Sequence, residues 1–199
     1  MNYSDLTRPA GAIAAILLTA MSAASHAAPR SESRSLAGLV APARVVTDHW
    51  GVPHIQAASA RDAFFLQGYT AAKDRLWQID LWRKRGLGRL SASFGPTFVA
   101  QDRAARLFLY RGSMAAEWAA YPADAKGWTE AFAAGINAYV DEVSAGRLTL
   151  PPEFALTGSA PEHWTADDIV RIRSNALVAN LGNKVARARY EARRSARSI

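Results

Sequence analysis

Two apolar stripes constrain this chain more than anything else in it. Phe65, Tyr69, Ala72, Leu76 and Ile79 recur at alternating steps of four and three. That spacing puts them on one face of a helix over residues 62–85. Trp128, Phe132, Ile136, Tyr139 and Val143 draw a second stripe on a helix over residues 125–145. Each stripe needs a facing surface. Burying one large aromatic or aliphatic side chain is worth about 1.5–3 kcal/mol, against a whole-domain stability of about 5–15 kcal/mol. Arg61, Lys73, Arg75, Arg83 and Lys84 fall mostly off the first stripe. Gly86 and Gly88 end the first helix as αL caps do, and Gly146 caps the other.

Ahead of the first helix stands Arg44-Val45-Val46-Thr47-Asp48-His49-Trp50-Gly51-Val52-Pro53-His54-Ile55-Gln56-Ala57. It reads as strand, turn and strand. Val45 and Val46 are β-branched, and Gly51 accepts a positive φ in the turn. Pro53 has no N–H for a ladder, so its strand is an edge or carries a bulge. Residues 90–94 add a turn of helix that Gly95-Pro96 breaks. Residues 101–121 read as one helical region with Ala105, Leu109, Met114 and Trp118 on its apolar side, and Pro122 stops or restarts it. Residues 148–161, rich in Pro, Gly and Thr, read as a loop. Thr165 as N-cap and Asp168 at the third helical position then open a last helix running to about residue 194.

The chain has 199 residues, 50% hydrophobic and 21% charged, which is a globular composition of one-domain length. It has no cysteine, which excludes disulfides and thiolate chemistry. Arg8, the apolar run over residues 10–21 and Ser25-His26-Ala27 read as a secretory signal over residues 1–27, cleaved after Ala27. The run is too short to span a membrane comfortably. Residues 28–42 are a polar lead-in, residues 43–190 the main region, and residues 191–199 a basic tail. The net charge of +7 rests largely on Arg187, Arg189, Arg193, Arg194 and Arg197. These read as a solvated helix end favoured by the C-terminal dipole, with a nucleic-acid or anionic-membrane contact as the competing reading. His49 and His54, with no third ligand in sight, read as surface histidines rather than a metal site. Asp74 and Arg75 read as a structural ion pair.

Asp48-His49-Trp50-Gly51-Val52-Pro53-His54-Ile55, Gly68-Tyr69 and Ala72-Lys73-Asp74-Arg75-Leu76-Trp77-Gln78 together resemble the opening of the penicillin acylase (penicillin amidase) family. Gly135-Ile136-Asn137-Ala138-Tyr139 and Leu150-Pro151-Pro152-Glu153-Phe154 with Trp164-Thr165 extend the likeness. The resemblance covers residues 43–189 and matches only the α-subunit region. Family members are N-terminal-nucleophile amide hydrolases, made as one precursor and cut into α and β subunits. The implied fold class is α+β: the mainly helical α-subunit portion of an αββα sandwich, with a short N-terminal β-hairpin. The implied function is cleavage of linear amides, such as β-lactam acyl side chains or acyl-homoserine lactones.

In the family, a serine at the β-subunit N-terminus attacks the amide, with its own α-amine as base. The chemistry requires no cofactor. Here no catalytic residue is present. Ser174-Asn175-Ala176 superficially matches the nucleophile context, but Leu177 stands where Trp is expected and Arg173 where Gly commonly precedes the cut. The resemblance places Ala176, Leu177 and Val178 as the substrate-binding stretch, with plain core as the competing reading. Structural calcium occurs in the family, but Lys184 stands where a ligating Glu is expected, and an ammonium cannot ligate a hard cation. The implied partners are a β subunit, whose sheets would face much of the two apolar stripes, and a small amide substrate. Nucleic acid is not expected, nor a membrane after signal cleavage. The expected location is periplasmic or secreted. The reading from another class is a truncated, catalytically inactive remnant or binding module.

Overall fold

A computed structural model describes residues 33–196. The expected signal peptide lies outside the described residues. Leu36–Ile199 form one compact unit; of the separate unit Met1–Ser35 only residues 33–35 are described. The chain is mostly helical, with one two-stranded antiparallel sheet among the described residues. That agrees with the α+β reading. No described helix is long and apolar enough to cross a membrane.

Strands β1 (Arg44–Thr47) and β2 (Pro53–Gln56) pair with Val45 opposite Ile55 and Thr47 opposite Pro53. Asp48 builds the turn. Its Oδ1 accepts the N–H groups of Trp50 (2.9 Å) and Val52 (3.0 Å), and its Oδ2 lies 2.9 Å from His54 Nε2. Gly51 takes φ +80°, so the side-chain bonds and the glycine together set the reversal.

Helix α1 (Ala60–Leu87) starts on Ser59, whose hydroxyl accepts from Asp62 N at 3.1 Å. Buried Asp62 turns back to accept Val40 N (3.1 Å) and Ala41 N (3.2 Å), tying the lead-in to the helix start. The helix ends on Gly88 at φ +66°. It is kinked at Arg75 (φ −144°, ψ 29°). Arg75 donates to Gln78 at 3.2 Å rather than forming the expected pair with Asp74.

The core is the crossing of α1 with α5 (Ala125–Ser144). Phe65, Tyr69, Ala72 and Leu76 from α1 are buried with Ala133, Ile136, Tyr139 and Val143 from α5. The two stripes therefore face each other. The expectation that sheets of another subunit would face them is corrected: close approach supplies the surface within the chain. Gly68 and Gly135 permit it. A Cβ on Gly68 would run into the Phe132 carbonyl, and one on Gly135 into the Phe65 carbonyl. Tyr69 and Tyr139 meet edge to face at 5.4 Å, and Phe154 and Trp164 close the end of the cluster.

Residues 101–121 are not one helix. They divide into α3 (Val99–Phe108) and α4 (Met114–Ala119). Leu109 is extended (ψ 132°), and Ser113 caps α4 by accepting Ala116 N at 3.4 Å. Ahead of α3, α2 (Leu90–Phe94) leads into a 3-10 turn, Pro96–Phe98. The expected loop at residues 148–161 holds a short helix, α6 (Pro152–Thr157), started by prolines and ended by Gly158 at φ +62°. Helix α7 (Ala166–Ala196) follows.

Candidate functional site

The sequence assigns the substrate-binding role to Ala176, Leu177 and Val178. Their backbone lies within α7, but their side chains lie outside the described residues, as do those of Ser174 and Lys184. What the structure shows is how α7 is anchored just ahead of them.

The anchor begins with a capping box. Asp168 N donates to Thr165 Oγ1 and Thr165 N donates to Asp168 Oδ2, both at 3.1 Å, as the sequence indicates. The same Asp168 Oδ2 accepts Arg83 Nε of α1 at 3.0 Å. Arg83 also reaches Glu162 at 3.4 Å and lies 5.6 Å above the Trp164 ring. Lys84 Nζ bonds Asp80 Oδ2 (2.8 Å) and the Ala160 carbonyl (3.1 Å). Asp80, Arg83 and Lys84 are each at most 4% exposed. Burial pushes the Asp80 carboxyl above the usual carboxylate range against the opposing pull of Lys84. Its Oδ1 has no hydrogen-bond partner; Arg83 Nη1 lies 3.8 Å from it.

Neighbouring helices add further ties. Trp118 Nε1 donates to Asp167 at 2.9 Å, and Arg173 bonds Glu117 at 2.9 Å and the Tyr121 hydroxyl. Asn137 of α5 holds Trp164 by its backbone on the approach to α7. Gly86 lets α1 lie close to Ile172, whose Cβ would be 2.7 Å from an added Cβ. Sequence reasoning missed this anchor. Arg83 and Lys84 read as off-stripe cations, although Asp80 at i−3 and i−4 was the signal that they carry a partner into the interior.

Two clefts open beside these elements. One of about 400 Å³ is lined by Lys126, Glu130, Asn137, Trp164 and Asp167, among others. The other, about 460 Å³, is lined by Arg61, Asp124, Trp128 and Glu130 with small residues between them. Among the described residues neither is lined by a serine, cysteine or histidine. The described histidines serve elsewhere: His54 pairs with Asp48, His163 with Asp141 at 2.7 Å, and His49 lies against Trp50. Among the described residues no group of three or more His, Cys, Asp or Glu is placed to hold a metal ion. The described lining of the clefts offers charge and shape.

The penicillin amidase sequence profile matches residues 42–198. This chain belongs to the penicillin amidase family. It is 38% identical over 136 residues to the penicillin acylase 2 proenzyme of Pseudomonas sp., covering 68% of this chain and 17% of that protein. It is 34% identical over 140 residues to an acyl-homoserine lactone acylase of Pseudomonas fluorescens, covering 70% and 17%. The thermostable penicillin G acylase of Alcaligenes faecalis superposes with a TM-score of 0.66 at 30% identity, covering 72% of this chain and 76% of that one. This member of the family therefore spans about a sixth of the length of the curated relatives it matches. The Alcaligenes faecalis chain is of comparable length to this one.

Proposed function

We propose that this chain is the α-subunit region of an amide hydrolase that cleaves linear amides, its nucleophile supplied by a second polypeptide. The observation that carries the reading is the pair of coverages. The chain accounts for 76% of a solved acylase chain but only 17% of a proenzyme of the same family. The clefts, whose described lining holds no serine, cysteine or histidine, fit a region that binds and positions rather than attacks.

In this reading the partner's N-terminal serine attacks the amide carbonyl, and its own α-amine takes the hydroxyl proton. An amine with a pKa near 8 can do so at neutral pH. Ala176, Leu177 and Val178 supply an aliphatic surface for the acyl group. The anchor of Arg83, Glu162 and Asp168 fixes the helix that carries them. No cofactor enters the chemistry. Calcium is not a fitting ligand at Lys184, which offers no oxygen. Export by residues 1–27 would place the complex in the periplasm or outside the cell, with β-lactam acyl side chains or acyl-homoserine lactones as the substrate classes.

The test is co-expression with the Pseudomonas proenzyme from which the matching region has been deleted. The purified complex is assayed on a phenylacetyl amide and on a long-chain acyl-homoserine lactone. Turnover of either, absent from each polypeptide alone, is expected. A stable complex without turnover would instead favour the non-catalytic reading. Turnover by this chain alone would overturn the assignment.

A further inference from the structure

The cleft of about 460 Å³ opens where α1 and α5 begin. Its volume falls within the roughly 300–1,000 Å³ of small-molecule pockets. No residue of α7 is among its described lining, so it is separate from the stretch to which the subunit reading assigns the acyl group. One wall is Trp128, 37% exposed. Phe64 fixes that indole by stacking on it, with 5.5 Å between centroids and 19° between planes. The floor is made of small residues, Gly127, Ala131 and Ala134. A Cβ on Gly127 would meet nothing within 4 Å, so the space beside it is open.

Two opposite charges line this cleft. Arg61 is steadied through Nη1, which donates to the Gly38 carbonyl at 2.8 Å and to Asp62 at 3.3 Å. A guanidinium carries several N–H donors, so others are left for a carboxylate. Asp124 stands at the start of α5, exposed, and its side chain makes no capping hydrogen bond. It precedes Trp128 by four positions, which puts the two on one side of the helix. An ammonium group bound to Asp124 is therefore beside an indole, whose face attracts cations. Glu130 also lines the cleft, but Lys126 lies 3.7 Å from it and offsets its charge. We infer that this cleft binds a free α-amino acid with an apolar side chain. A plain amine satisfies Asp124 but meets the charge of Arg61. A plain carboxylate satisfies Arg61 but meets the charge of Asp124. A ligand carrying both groups on one carbon answers both, and its side chain rests on the small floor against Trp128. The inference goes beyond the subunit reading and does not depend on it.

The experiment titrates the full chain with three probes, followed by ligand-observed NMR. The probes are L-leucine, isocaproate, which lacks the ammonium, and isoamylamine, which lacks the carboxylate. Wild type should bind leucine saturably and about fivefold or more tighter than either analogue, the scale of a partly exposed ion pair. Asp124→Asn should erase the preference for leucine over isocaproate. Arg61→Gln should erase the preference over isoamylamine. Arg61 also ties the lead-in through Gly38, so a third variant guards against loss of fold. Gly127→Leu fills the cleft from a position where a Cβ touches nothing. It should lose saturable leucine binding while keeping the wild-type thermal midpoint. Three results would each overturn the site: no saturable binding of leucine by wild type, an analogue that binds as tightly as leucine, or unchanged leucine binding by Gly127→Leu. None of these bears on amide turnover by a reconstituted complex, so the subunit reading stands or falls separately.

Discussion

The side-chain amide of Asn137 binds both backbone groups of Trp164, accepting from its nitrogen at 2.7 Å and donating to its carbonyl at 2.9 Å. One side chain thus does for Trp164 what a neighbouring strand would do, and it fixes the chain just before α7. Asn137→Ala would leave a partly buried N–H and C=O without partners, at about 1–3 kcal/mol for each group. Chemical denaturation should show a loss of at least ~2 kcal/mol. A loss below half of that would mean that water replaces the amide without penalty.

The Gly68 and Gly135 crossing predicts opposite outcomes for similar substitutions. Gly68→Ala or Gly135→Ala drives a methyl into a carbonyl of the facing helix. Overpacking of this kind costs typically ~1–3 kcal/mol. Gly127→Ala, on the same α5, meets nothing within 4 Å and should gain roughly 0.5–1 kcal/mol from helix propensity. Thermal unfolding of the three variants checks the contrast.

Lys84→Met should destabilise by about 3–5 kcal/mol, because it strands the buried Asp80 carboxylate. The double variant Asp80→Leu with Lys84→Met should recover most of that loss. The pH response of the single variant has a definite sign. Burial holds the Asp80 pKa above its ordinary value. A raised carboxyl adds stability below the unfolded pKa and loses it as pH rises through the folded one. The deficit of Lys84→Met against wild type should therefore shrink as pH is lowered from 8 toward 5.

Asp62 and Asp102 behave in the opposite sense. Hydrogen bonds from Val40 N and Ala41 N hold the Asp62 carboxyl below the usual range. Burial pulls Asp102 upward, but bonds from Ser91 and Leu90 prevail and lower it. A depressed pKa gives stability above the unfolded value, about 3.9 for Asp, and loses it as pH falls through the folded one. Urea midpoints between pH 7 and 2.5 should fall below about pH 4. Asp62→Asn and Asp102→Asn should each flatten that fall.

Ser174 lies inside α7, so its nitrogen is a peptide nitrogen and cannot serve as base. Ser174→Ala should leave the turnover of a reconstituted complex near wild type. A loss of roughly a thousandfold, the scale of removing a catalytic group, would place the nucleophile in this chain.

The parts of the fold legible in the sequence were those written in local period. The stripes of α1 and α5 and the Asp48–Gly51 turn could be read because a few neighbouring residues determine them. That the stripes face each other could not be read, since Gly68 and Gly135 look like ordinary helix glycines until their facing carbonyls are known. The buried cations were hidden for the same reason. Beyond Asp80, three positions back, the acids that pair with Arg83 lie 79 and 85 positions away. The division between α3 and α4 was marked only by Gly112-Ser113, which a run rich in alanine obscures. As for the site, Ala176, Leu177 and Val178 carry no chemistry of their own, so only the family resemblance could single them out.

The Tyr69 hydroxyl donates to Glu142 across 73 positions of chain, at 3.2 Å. That separation belongs to the whole α1–α5 crossing and bears on the order of events when the chain is made. Closing a loop of this length costs entropy before any contact repays it. During synthesis α1 emerges long before its only large apolar counterpart among the described elements. A growing chain that has reached α4 still holds Phe65, Leu76 and their neighbours uncovered. This interval, rather than the finished fold, is where a chaperone or a protease would meet it.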